Sequence, residues 1–97
     1  MTEESIPPQL LEARNKIDEV DNKLILLLAE RFDLTRQVGE LKARSKLSAF
    51  DPGREARKLA TIRALCKEHE LNVELVEGIF SQIMTEVVKN HRRFQGE

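Results

Sequence analysis

Residues 10–47 read LLEARNKIDEVDNKLILLLAERFDLTRQVGELKARSKL. Between Pro8 and Leu47 there is no proline, and only Gly39 offers a break. Apolar residues recur at 10, 13, 17, 20, 24, 27, 34, 38 and 41. This alternation of three and four predicts one long helix with an apolar face. At about 100° per residue, Ala13, Ile17, Val20, Leu24, Leu27, Leu34, Val38 and Leu41 share that face, and Arg31 and Lys42 fall inside it. A cation placed among aliphatic side chains needs an anionic partner or an escape to water. Glu30 and Asp33 lie on other faces. Snorkelling is therefore one reading, and an anionic ligand held between the two cations is the sharper one.

The length of this helix carries a second inference. At about 1.5 Å per residue, 38 residues span roughly 57 Å, whereas a compact chain of 97 residues is about 32 Å across. The chain cannot bury such a helix by itself. Its middle, Leu24 to Ala29, is apolar on every side and predicts a segment covered all round. A homodimer pairing two copies antiparallel about a two-fold axis satisfies both demands. Arg14 lies 17 residues from Arg31, about 26 Å along one helix, too far for one small ligand to touch both. In an antiparallel pair centred near residue 25, Arg14 of the partner subunit falls between Arg31 and Lys42. Three cations then converge on each of two sites. An extended coiled-coil arm competes with this arrangement but leaves the central LILLLA in water.

The remainder of the chain completes an all-α, three-helix reading. Ser45 to Phe50 is expected to be a loop. Asp51 before Pro52 supplies an N-cap and a first-turn proline for a second helix running to about His69. Asn72 caps a third helix that carries Val73, Val76, Ile79, Phe80, Ile83 and Val87 on one face and reaches about Phe94. We expect a single domain over residues 1–97, with 1–7 flexible. The lone Cys66 shares a face with Leu59, Ile62 and Leu65 and is expected to be a core residue. A net charge of -1 gives no general footprint for nucleic acid or an anionic membrane, and no apolar run is long enough to span a bilayer. The acidic N-terminus lacks the pattern of a secretory signal, so the cytoplasm is the expected compartment.

Four stretches, LLEARNKIDEVDNKLILLLAER, VGELKARSKL, FDPGREARKL and VEGIFSQIMTEVV, together resemble the all-α chorismate mutase family, short bacterial type, from about Leu10 to Phe94. The resemblance implies an intertwined homodimer of three-helix chains that converts chorismate to prephenate without cofactor or metal. By motif position it assigns Arg14 to the partner's site, and Arg31 and Lys42 to the chain's own. Asp51, Arg54 and Glu55 enter from the DPGRE segment. The chemistry suits these residue types, because a pericyclic rearrangement of a dicarboxylate needs fixed charge and shape rather than a nucleophile. Lys42 would stabilise charge developing on the ether oxygen, and Glu55 would accept the ring hydroxyl's hydrogen bond. Arg54 would fix the helix start or add positive potential. Asp51 is divided between binding and its N-cap role.

Two positions depart from the family pattern. Val87 stands where a Ser-like residue is usual, which predicts weaker substrate binding. His91 stands where Gln or Glu is usual. As a neutral tautomer with its N–H turned inward, or as imidazolium, His91 could share the ether charge with Lys42; packing against the partner is its plainer role. Isochorismate pyruvate-lyase and amino-substituted chorismate mutase remain open within the fold. Outside enzymes, a catalytically weak dimerisation or regulatory module is compatible with the changes at 87 and 91. The basic cluster of Lys89, His91, Arg92 and Arg93 suits a helix C-terminus better than nucleic acid. Nothing in the sequence decides whether another enzyme of the pathway binds and activates the protein.

Overall fold

A computed structural model describes residues 5–96 and contains α1 (Pro8–Arg44), α2 (Pro52–Glu68) and α3 (Val73–Phe94). No strand occurs among the described residues, so the chain is all-α, as the periodicity requires. Of the N-terminal segment expected to be flexible, residues 1–4 lie outside the described residues. The chain divides into two compact units, one ending at Asp33 and the other starting at Leu34, with α1 contributing to both.

The first unit is the N-terminal part of α1. Pro8 occupies its first turn, where a missing N–H costs nothing, and the Pro7 carbonyl accepts from Leu10 N–H at 3.0 Å and Leu11 N–H at 3.1 Å. The apolar residues that define the stripe are exposed here. Leu24, Ile25, Leu26 and Leu27 range from 54% to 69% exposed. Segments this apolar on all sides are normally covered.

The second unit holds the core. Ala49, Ile62, Cys66 and Met84 are buried, with Cys66 at 2% exposed, in keeping with its expected core role. α2 starts as its sequence dictates, with Asp51 Oδ1 accepting from Arg54 N–H at 3.0 Å and Pro52 following. α3 starts in the same way, Asn72 Oδ1 accepting from Leu75 N–H at 3.1 Å. Arg63 on α2 and Glu77 on α3 bridge the two helices, with Nε donating to Oε2 at 3.2 Å and a second contact between Nη2 and Oε1. That pairing draws the Glu77 carboxyl below the ordinary carboxylate range, chiefly through the hydrogen bond from Arg63.

Two helices stop earlier than the periodicity suggests, α1 at Arg44 rather than about Leu47 and α2 at Glu68 rather than about His69. Both ends are closed by the same device. Leu47 N–H donates to Lys42 O at 2.8 Å and Lys46 N–H to Ala43 O at 3.3 Å, while Lys46 has φ 55°. Leu71 N–H donates to Cys66 O at 2.8 Å and Glu70 N–H to Lys67 O at 3.4 Å, while Glu70 has φ 56°. These are Schellman closures, with a left-handed residue just past the helix. Glycine usually fills that position, and here it is Lys and Glu.

Candidate active site

The eight residues singled out from sequence fall in both units. Arg14 and Arg31 belong to the first. Arg14 is exposed. Arg31 is half-buried, and its Nη1 is fully enclosed with no hydrogen-bond partner among the described residues. Leaving a buried guanidinium N–H unpaired costs at least about 1–3 kcal/mol, so the position calls for an acceptor.

Lys42, Asp51, Arg54, Glu55, Val87 and His91 belong to the second unit. Lys42, Glu55 and Val87 are half-buried, while Asp51 and Arg54 are exposed. Asp51 spends Oδ1 on the Arg54 backbone N–H, so the capping half of its divided role is realised. The DPGRE segment is thus a helix start that sets Glu55 in the first turn of α2.

His91 is the most constrained of the set, at 3% exposed. Its Nε2 lies 2.8 Å from the Thr35 carbonyl oxygen. A carbonyl can only accept, so Nε2 carries the proton and donates. The other nitrogen, Nδ1, is buried without a partner among the described residues. A Cβ added to Gly39 would lie 2.5 Å from His91 Cδ2 and 3.0 Å from Nε2, so the Cδ2–Nε2 edge rests on Gly39 and Nδ1 sits across the ring from it. The ring packs on α1 of its own chain, and the single N–H of the neutral ring is committed to a backbone carbonyl. Only the imidazolium form can donate through Nδ1.

A cavity of about 460 Å³ is lined by Phe50, Glu55, Thr85, Val88, Lys89, Arg92 and Arg93. Glu55 therefore meets the face of α3 that carries 85, 88, 89 and 92. At about 100° per residue this face is turned by roughly 130° from the one carrying Val87 and His91. Of the sequence-derived candidates only Glu55 lines it.

Sequence reasoning missed Thr35 and the contact role of Gly39, which fix the His91 ring, passed over Phe50, Thr85 and Val88 of this cavity, and read Lys89, Arg92 and Arg93 only as a basic helix end. The signal for the cavity was present as an i, i+3, i+4, i+7 recurrence at Thr85, Val88, Lys89 and Arg92. Gly39 was visible only as a candidate helix break, whereas it is a contact surface inside an unbroken helix.

Comparison with known proteins identifies the scaffold. A family model described as chorismate mutase type II matches residues 13–92. A chorismate mutase of Methanocaldococcus jannaschii is 44% identical over 78 residues, covering 80% of this chain and 78% of that protein. The T-protein of Enterobacter agglomerans is 37% identical over 78 residues, 80% of this chain and 21% of its own length. A bifunctional chorismate mutase/prephenate dehydratase of Escherichia coli K12 is 37% identical over 79 residues, 81% of this chain and 20% of its own length. The matched region thus spans most of the archaeal protein and about a fifth of the two longer relatives. The matched segment includes all eight candidate residues, from Arg14 to His91. The chain belongs to the chorismate mutase type II family.

Proposed function

We propose that this protein is a chorismate mutase, an isomerase of aromatic amino acid biosynthesis, acting as a cytoplasmic homodimer with active sites shared between chains. The observation that carries the activity is the family match over residues 13–92, supported by 44% identity to a chorismate mutase that it covers for most of its length.

The reaction exchanges one carbon–oxygen bond for one carbon–carbon bond within a single molecule. No nucleophile or base is consumed, so the protein's task is to hold the compact conformer and stabilise charge as it develops. In this reading the enclosed Arg31 Nη1 receives its acceptor from a substrate carboxylate. Arg14 of the partner subunit, across an antiparallel pair of α1 helices, holds the second carboxylate. Lys42 stabilises negative charge on the ether oxygen, and Glu55 accepts from the ring hydroxyl. Arg54 adds positive potential at the start of α2, and the second oxygen of Asp51 remains available to a polar group. Val87 offers shape only. His91, with Nε2–H held by Thr35, contributes a donor only when doubly protonated.

Support for the dimer is the exposure of Leu24 to Leu27 in the first unit, an aliphatic surface that a second α1 would cover. Sedimentation of the purified protein should give twice the chain mass, and a stable monomer would exclude the shared site. Incubation with chorismate should consume it and yield prephenate. Pyruvate release, or turnover confined to isochorismate or an aminated analogue, would move the protein to a different activity on the same scaffold.

A further inference from the structure

The loop of residues 45–50 joins two elements that the proposed chemistry uses, the last turn of α1 with Lys42 and the first turn of α2 with Glu55. Within it, Leu47 is tied through both of its backbone polar groups. Its N–H donates to Lys42 O at 2.8 Å, which closes α1. Its carbonyl accepts from Gln95 Nε2 at 2.7 Å, a bond between residues 48 apart in sequence. The end of α1, the loop and the end of α3 thus meet at one residue, shortly before the Asp51 cap of α2.

Packing does little to fix the loop on that side. Leu47 is 58% exposed and Phe50 44%, and a cavity of about 580 Å³ opens among Ala43, Lys46, Leu47, Ser48, Phe94 and Gln95. Ser48 Oγ donates to Phe50 O at 2.9 Å, but that bond stays within the loop. Gln95 is by contrast well placed as an anchor. Its backbone N–H donates to Arg92 O at 3.0 Å, which fixes it as the C-cap of α3. The neighbouring Phe94 ring lies 2.8 Å from where a Cβ on Gly39 would stand, so this helix end rests on α1.

We propose that Gln95 is a positioning residue for the reaction: through Leu47 O it sets where the loop delivers Glu55 relative to Lys42. This rests on the reading of Lys42 and Glu55 as substrate contacts. The consequence is asymmetric. Lys42 lies within α1, whereas Glu55 follows the loop. Release of Leu47 O therefore displaces the acceptor for the ring hydroxyl and leaves the donor to the ether oxygen in place, so substrate binding suffers more than the bond exchange itself.

Two substitutions remove the donor. Gln95→Glu keeps the size of the side chain and turns an acceptor toward Leu47 O, and Gln95→Met does so without adding charge. In both, KM for chorismate should rise by about fivefold, the weight of one ordinary hydrogen bond, with kcat within about twofold of wild type. In the same proteins the hydrogen-bonded amides of Leu47 and Phe50 should exchange about fivefold faster, while those of the buried Ile62 and Cys66 keep their rates. Wild-type kinetics in either variant, a loss in kcat as large as the change in KM, unchanged exchange at Leu47 and Phe50, or exchange that quickens equally at Ile62 and Cys66 would each overturn the positioning role. A wild-type protein that never converts chorismate would refute the proposed enzyme activity instead, and the exchange rates would then still decide whether Gln95 holds the loop.

Discussion

Gly39→Ala tests the joint between α1 and α3 on which the His91 assignment depends. In a helix interior this change normally stabilises by about 0.5–1 kcal/mol, because alanine loses less backbone entropy. Here the new methyl would lie 2.5 Å from His91 Cδ2 and 2.8 Å from Phe94 Cδ2, distances that real contacts do not tolerate. His91 cannot simply swing aside, since it is buried and its Nε2–H is tied to Thr35 O at 2.8 Å. Overpacking costs about 1–3 kcal/mol and loss of the hydrogen bond about 1 kcal/mol, so after the propensity gain a net destabilisation of about 1–3 kcal/mol is expected. Gly78 is the internal control. It lies on α3 with nothing within 4 Å of an added Cβ, so Gly78→Ala should stabilise by up to about 1 kcal/mol. Urea denaturation at one fixed protein concentration measures both. Introducing His91→Ala beside Gly39→Ala should recover part of the loss, which separates the clash from a general intolerance of alanine. If Gly39→Ala stabilises as much as Gly78→Ala does, the packing of His91 on α1 is wrong.

Four further outcomes follow from the same geometry. His91→Gln should retain or raise turnover of chorismate, because a glutamine amide at that position still has an N–H to donate, and a large loss of turnover in that variant would contradict the reading of His91 as a donor stand-in. Lys42→Ala should lower turnover by at least about a hundredfold with the fold intact by circular dichroism, and a smaller loss would contradict its role at the ether oxygen. Lys46→Gly and Glu70→Gly should each stabilise by up to about 1 kcal/mol in chemical denaturation, since both residues hold a positive φ at a helix end, and destabilisation by either would contradict the left-handed geometry. Glu77 has its carboxyl held low by Arg63, so its contribution to stability is present above the ordinary carboxylate range and is lost as pH falls through the folded-state value; the stability gap between wild type and Glu77→Gln should therefore narrow on acidification, and a gap that widens would reverse the sign.

The features that were legible in the sequence are those written in local chemistry. Asp51–Pro52 and Asn72 announce helix starts because a side-chain oxygen must satisfy a first-turn N–H, and both do so at about 3 Å. The helix ends were less legible because their closures use Lys46 and Glu70, residues whose identity gives no hint of a left-handed backbone. The enclosed cation at Arg31 was legible because a charge breaks an otherwise aliphatic row. What His91 can donate was not. Its inward azimuth follows from the spacing, but which nitrogen carries the proton depends on a carbonyl 56 residues earlier in the chain, and its fit against α1 depends on the missing side chain at Gly39. The cavity beside Glu55 escaped for a related reason. Lys89, Arg92 and Arg93 have a sufficient local explanation in the dipole of α3, and only the folded position of Phe50 and Glu55 turns that cationic helix end into one pole of a two-poled hollow. A charge explained locally is therefore still a candidate for a site. Its assignment turns on which opposite charge the rest of the chain brings to face it, and at this position that charge belongs to a residue the proposed chemistry already uses.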